Sequence, residues 1–139
     1  MNNIIIKYTI NNVHIEDKLR NNEDFISDND YDIAKFIKVY IKDFKIILTN
    51  KNKIQWYIFE DNNWKLDINK SLLHKFIAED VFQLYRLYGI YFYENDDHNR
   101  ANLCISNIKK VKSYAKRQLF IKELENLYLS NNEFNYILN

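Results

Sequence analysis

The chain contains no proline and a single glycine, Gly89, in 139 residues. Glycine and proline are the usual punctuation of loop-rich β folds, so their near absence favours long helices joined by simple turns. Hydrophobic residues make up 47% of the chain and aromatics 16%, which is too apolar for disorder and enough to pack one domain. The fold class expected is α+β, mainly α, with a small antiparallel sheet and three to five packed helices.

Charge narrows the function classes. Twenty basic and nineteen acidic residues leave a net charge of +1, so no global field draws the protein to nucleic acid or membrane. Any such contact must be a local patch. A lone cysteine, Cys104, rules out an internal disulfide and fits a reducing compartment; it reads as a small apolar helix residue rather than a nucleophile. No apolar run reaches the roughly 20 residues needed to span a bilayer. The start, Met1-Asn2-Asn3-Ile4-Ile5-Ile6-Lys7, lacks the basic region and apolar core of a signal peptide. A soluble, intracellular chain with no membrane partner is expected.

Residues 1–29 read as an N-terminal strand and linker: residues 4–10 are β-branched, Asn11-Asn12 can turn, and a polar stretch follows. Asp28 and Asp30 read as helix-capping acids. From there on a second unit, residues 30–139, carries the periodic patterns. Ile33, Phe36, Ile37, Tyr40, Ile41 and Phe44 recur at helical spacing and predict a helix over about residues 30–44. Lys35, Lys38, Lys42 and Lys45 fall on another face, a pattern that suits either a phosphate backbone or an ordinary solvated face. Residues 44–48, 54–60 and 64–66 predict a three-stranded antiparallel meander, with Asp61-Asn62-Asn63 as turn chemistry. Trp56 and Trp64 are expected to pack across that turn as structural residues; aromatic rings among lysines can also stack bases.

A second helix is predicted over about residues 69–88, ending at Gly89 as its C-cap. Ile90-Tyr91-Phe92-Tyr93 extends its aromatic surface into a charged loop, residues 94–100. Tyr88, Tyr91, Phe92 and Tyr93 are therefore candidate interface residues, equally suited to a contact between protomers and to the edge of the core. Helices over about 101–112 and 115–129 follow, the latter capped by Ser113 and with Leu119, Phe120, Leu124, Leu127 and Tyr128 inside. Lys109, Lys110, Lys112, Lys116 and Arg117 crowd the joint between these helices. This densest basic cluster supplies the first candidates for phosphate contact, with Lys35, Lys38 and Lys42 second; a solvated joint fits the same pattern. Residues 132–139 read as the start of a further helix.

Catalytic chemistry finds little purchase. His74 and His98 have no second histidine or cysteine at metal-ligand spacing, so neither a metal nor another cofactor is expected. There is no Gly-x-Ser-x-Gly elbow, and without a Gly-Lys pair no phosphate-binding loop can form. No catalytic residue is assigned, and the chain by itself is not expected to be an enzyme.

Several of these features occur in a particular order. Asp32-Ile33-Ala34 opens the first helix, Trp56-Tyr57-x-Phe59 and Trp64 flank the turn, and a helix closes on Tyr85. Then come the lysine-rich turn 109–112, Glu123 and Phe134-x-x-x-Leu138. This set resembles the module just N-terminal to the superfamily 3 helicase domain in the helicase–primases of poxviruses, giant DNA viruses and some phages. The resemblance implies a non-catalytic accessory, or pre-helicase, domain that links primase to the hexameric helicase. It also implies a contribution to a collar on the hexamer and contact with single-stranded DNA. The implied partners are the helicase and primase domains of the same replication protein, single-stranded DNA, and further copies of the chain. The implied location is the host cytoplasm or nucleus at sites of viral replication. Two features depart from the family pattern. The N-G-V-x-D-L-like strand and ATPase that follow the module do not occur within these 139 residues, and Asn62-Asn63 stand where histidine often precedes the second tryptophan. The competing expectation is a stand-alone protein-interaction module, without nucleic-acid binding, that uses Tyr88, Tyr91, Phe92 and Tyr93.

Overall fold

The structure, a computed structural model, describes residues 9–10, 13–14, 26–49 and 51–136. Of the expected N-terminal strand it describes only β1 (Thr9–Ile10), paired antiparallel with β2 (Val13–His14). The remainder of the strand and linker lies outside the described residues, as do residues 137–139.

From residue 26 the chain is α+β and mainly helical, as its composition predicts. Helix α1 (Asp30–Tyr40) begins where Asn29 caps it, Oδ1 accepting from the Asp32 amide at 2.8 Å. Asp30 and Asp32 occupy the first turn, where carboxylates suit the helix dipole. The helix ends at Tyr40, four residues earlier than the periodicity suggests. Ile41 and Phe44 are buried all the same, because Phe44 opens strand β3 (Phe44–Leu48) facing the core. Burial at three-and-four spacing therefore could not locate the boundary.

Strand β4 (Ile54–Glu60) pairs antiparallel with β3 and with β5 (Asn63–Leu66), giving the expected meander. Asp61 and Asn62 take φ of 53° and 63° between the paired Glu60 and Asn63. This is the left-handed pair of a two-residue hairpin turn, made without glycine. A fourth strand, β6 (Asn135–Tyr136), runs parallel to β3, so the sheet is mixed and has the order β5-β4-β3-β6. The helix expected over residues 132–139 is thus replaced at Asn135–Tyr136 by a strand.

The two tryptophans point to opposite faces. Trp56 pairs with Ile46 on the inner face and is 1% exposed. Trp64 pairs with Phe59 on the outer face and is 39% exposed. The expected packing of Trp56 on Trp64 does not occur, since side chains of neighbouring strands share a face only in register. Trp64 instead meets Phe59 edge-on at 5.2 Å, with the Lys45 ammonium 4.3 Å above its ring.

A tight turn (Ile68–Lys70) leads into α2 (Ser71–Phe76), a wider π-type turn (Ile77–Val81) and α3 (Phe82–Glu94), one continuous rod. Buried Asp67 starts it, its carboxylate accepting from the amides of Leu72 (2.8 Å) and Leu73 (2.9 Å). The rod does not stop at Gly89. It ends five residues later, at Glu94, where Asp96 adopts φ 61° and the Asp97 amide reaches back to the Phe92 carbonyl at 2.8 Å. That is a Schellman closure with aspartate in the usual glycine place. Helix α4 (His98–Val111) therefore starts earlier than expected, capped by Asp97, and α5 (Tyr114–Ser130) is capped by Ser113 as predicted.

Helix α1 packs on α5, α3 on α4, and α4 on α5. The core between them and the inner sheet face is built on Phe36, Trp56, Tyr85, Tyr88 and Phe120. Phe36 stacks on Tyr85 at 4.3 Å, and the Tyr40 and Tyr88 hydroxyls bond to each other. Leu119, expected inside, is half exposed because α5 turns Phe120, Ile121, Leu124 and Leu127 inward. No helix among the described residues is long and apolar enough to cross a membrane.

Opposite faces predict unequal mutants. Trp56→Ala is expected to lower the unfolding free energy by about 3–5 kcal/mol. Trp64→Ala is expected to cost less than about 1.5 kcal/mol, since its ring gives up less buried area. Urea titration of both variants checks the contrast.

Candidate nucleic-acid interface

The basic cluster does gather at the joint between α4 and α5, but its members have different duties. Lys110 Nζ donates to the Asp28 carbonyl at 2.6 Å, tying α4 to the segment ahead of α1. Lys112 Nζ lies 4.2 Å above the Phe82 ring. Arg117 donates through Nε to His74 Nδ1 and through a terminal nitrogen to the Val111 carbonyl, both at 3.0 Å. Lys109 is exposed and Lys116 half-buried. In the second set, Lys38 bonds Glu133 at 3.0 Å and lies 4.9 Å over the Tyr128 ring, while Lys35 lies 4.4 Å over Tyr31. Lys42 is exposed in the turn after α1. Tyr128 is fourteen residues from the start of α5, about 21 Å at 1.5 Å per residue. Lys38 therefore sits near the far end of that helix and does not join the first cluster.

The aromatic candidates divide too. Because the rod continues through Gly89, Tyr88 and Phe92 share its inner face and are core residues, offering no surface to a partner. Tyr91 is half-buried and only Tyr93, at 64%, is well exposed.

Beside the α4–α5 joint the fold forms an open cleft of about 740 Å³. One wall is a single face of α5: Tyr114, Gln118, Lys122 and Glu125 fall three or four residues apart. The other wall is Asn69, Lys70 and His74. Asn69 and Lys70 both take φ of 58°, a left-handed conformation that lysine rarely adopts. Lys70 is held there by an ion pair with Glu125 at 2.9 Å, and the same Glu125 oxygen accepts from Trp56 Nε1 at 2.8 Å.

His74 and Tyr114 stack at 4.7 Å and 12°, forming a flat aromatic platform, with the Arg117 guanidinium 5.7 Å from the Tyr114 ring. Burial, then the charges of Arg117 and Lys70, hold the His74 pKa below its ordinary 6.5, with Asp67 opposing. The ring is accordingly neutral near neutral pH. Since Nδ1 accepts from Arg117, the proton resides on Nε2, which is a donor.

Helix electrostatics add to the positive potential. The first turn of α5 carries no acid, yet Lys116 and Arg117 stand in it, at the positive pole of the helix. The opposite sign is found in a pocket of about 320 Å³ between α1, the sheet and α2, lined in part by Asp43, Glu79 and Asp80. There burial, and then Glu79, raise the Asp80 pKa. A polyanion is thus favoured at the α5 cleft and disfavoured at the acidic one. Among the described residues no group of three His, Cys, Asp or Glu side chains is placed to hold a metal ion. The buried Cys104 thiol is pushed up to about 12, mainly by desolvation, and stays protonated.

Sequence reasoning found Arg117 and the neighbouring lysines but missed Lys70, His74, Tyr114, Gln118, Lys122 and Glu125. The spacing of Tyr114, Gln118 and Lys122 was a usable signal. Nothing in the sequence announced that Lys70 and His74 would face them.

The depressed His74 pKa sets a pH dependence. The unfolded chain binds this proton more readily, so the stability contributed by neutral His74 is present above about 6.5 and lost as pH falls below it. The melting temperature of the wild type is expected to drop between about pH 7 and pH 5 more than that of His74→Gln, measured by circular dichroism.

Comparison with known protein families, with curated proteins and with solved structures finds no match to this chain.

Proposed function

We propose that the chain is a non-catalytic accessory domain of a viral DNA-replication helicase–primase, joining primase to hexameric helicase and contacting single-stranded DNA. The observation that carries the DNA contact is the cleft in which the Tyr114–His74 platform lies between Lys70, Lys122 and Arg117. Single-stranded DNA needs two things from a protein: cations that track its backbone and ring faces that accept its bases without reading them. Lys109, Lys116 and Lys122 supply the first, Tyr114 the second, and neutral His74 adds an N–H donor. The link to primase and helicase rests on the ordered resemblance, in which Trp56 and Trp64 mark the hairpin and the lysine-rich turn follows. On this reading the domain works inside the host cell, in cytoplasm or nucleus, as part of a larger replication protein.

The competing module without nucleic-acid binding keeps one specific observation in its favour, the exposed Tyr93. DNA affinity separates the two. With a labelled oligothymidylate, the wild type is expected to bind with an affinity that falls steeply with salt. Lys109→Glu, Lys116→Glu and Lys122→Glu combined should weaken binding and flatten the log–log salt slope by roughly 0.7 for each phosphate no longer neutralised. Tyr114→Ala should lower affinity by about 1–3 kcal/mol while leaving the slope nearly unchanged, because stacking releases no counterions. Affinity untouched by both variants would move the interaction-module reading ahead.

A further inference from the structure

The α3–α4 hairpin presents a second surface, away from the DNA cleft. A three-residue connection, 95–97, joins the helices. Tyr93 meets His98 near the connection, at 5.0 Å, and Gly89 lies farther along against Ala101 and Cys104, so the helices run antiparallel. A β-carbon at position 89 would lie 3.4 Å from the Cys104 β-carbon and 4.0 Å from the Ala101 carbonyl oxygen. The lone glycine thus lets the two helices approach closely at mid-length.

On the solvent side of this seam runs a groove of about 550 Å³. Gly89, Ile90, Tyr93, Ala101, Ile105 and Ile108 supply its apolar lining. Tyr93 is 64% exposed and Ile105 54%, a costly way to leave two large apolar side chains on one face. Two opposite charges also line the groove, Arg86 and Glu94. They lie four residues before and four residues after Ile90 on the same helix, about 6 Å along the axis in each direction.

That arrangement is self-complementary. An antiparallel copy of α3, placed across a two-fold axis at Ile90, brings each Arg86 to the Glu94 of the other chain. The apolar residues then meet at the centre, and two helical hairpins become a four-helix bundle. We propose that the exposed face of the α3–α4 hairpin is an isologous interface whose occupant is a second copy of this chain. The charge pattern selects that occupant: an unrelated partner has no need for opposite charges at equal distances from an apolar centre. The proposal is independent of the DNA reading, since none of these residues lines the α5 cleft.

Sedimentation velocity on the full chain tests it, with circular dichroism confirming the fold of each variant. The wild type is expected to be a dimer. Arg86→Glu and Glu94→Arg should each raise the dimer dissociation constant by roughly tenfold or more through like-charge contacts, and the double exchange should restore it to near the wild-type value. Ile105→Glu should yield a folded monomer. A wild type that stays monomeric up to about 100 μM, a value marking only weak association, overturns the interface. So do single exchanges that dimerise like the wild type, or a double exchange no better than the singles.

Discussion

The fold turns on one buried indole. Trp56 lies at the centre of the inner sheet face, where its ring fills the core and its N–H has no water to bond. Glu125 of α5 answers that donor, but a carboxylate so nearly enclosed requires a cation of its own. Lys70 provides it from the turn ahead of α2, in a backbone conformation that a lysine would not choose unaided. Three consequences follow from this chain of needs. The sheet is pinned to α5, the turn is fixed against the same helix, and the space left beside the turn becomes the cleft. Ion pairs of this kind add little net stability, because desolvation offsets attraction; their value is in specifying which groups meet. Glu125 sits at the junction of all three, so core and candidate site share one residue.

The shortage of glycine is met by a surplus of asparagine and aspartate. Asp61 and Asn62 make the β4–β5 hairpin, Asp96 ends α3, and Asn132 ends α5, where the Glu133 amide closes on the Tyr128 carbonyl at 2.8 Å. Both residues tolerate the left-handed region better than other non-glycine side chains do. The one glycine was thereby left for packing, which explains why reading Gly89 as a helix terminator failed. Helix starts were legible because capping side chains are local: Asn29 and Ser113 sit within three residues of the amides they bind. Helix ends were less so, since Asp96 and Asn132 in αL look like any other polar residue. The strand at Asn135–Tyr136 depends on a partner, β3, some ninety residues earlier, and no local pattern encodes that.

The candidate site divides the same way. A run of cations at residues 109–117 is visible in any reading of the chain. Which of them are already engaged is a tertiary fact: Lys110 by a carbonyl ahead of α1, Lys112 by the Phe82 ring, Arg117 by His74. The aromatic platform joins residues forty apart, so neither His74 nor Tyr114 could be picked out alone. The tyrosine cluster near Gly89 shows the reverse failure. Its composition suggested an interface, and the structure buries Tyr88 and Phe92 while turning Tyr93 outward, because a helix distributes consecutive residues around its axis.

The electrostatics of α5 link stability to function. A helix start welcomes acids, and α1 follows that rule with Asp30 and Asp32. Helix α5 breaks it, setting Lys116 and Arg117 where the backbone amides already present positive charge. Such a placement costs some helix stability in the isolated chain. Part of the cost is offset locally: Arg117 directs its donors to His74 and the Val111 carbonyl, and the His74 pKa falls in response. The remainder has no internal remedy in the first turn, which contains no carboxylate. An anion laid along this helix start would meet the amides, both cations and the neighbouring Lys122 at once, relieving the repulsion as it bound. A surface in which folding leaves like charges together is one whose lowest free energy includes a bound anion, and the ring pair beside it makes a nucleic-acid strand the best-matched anion.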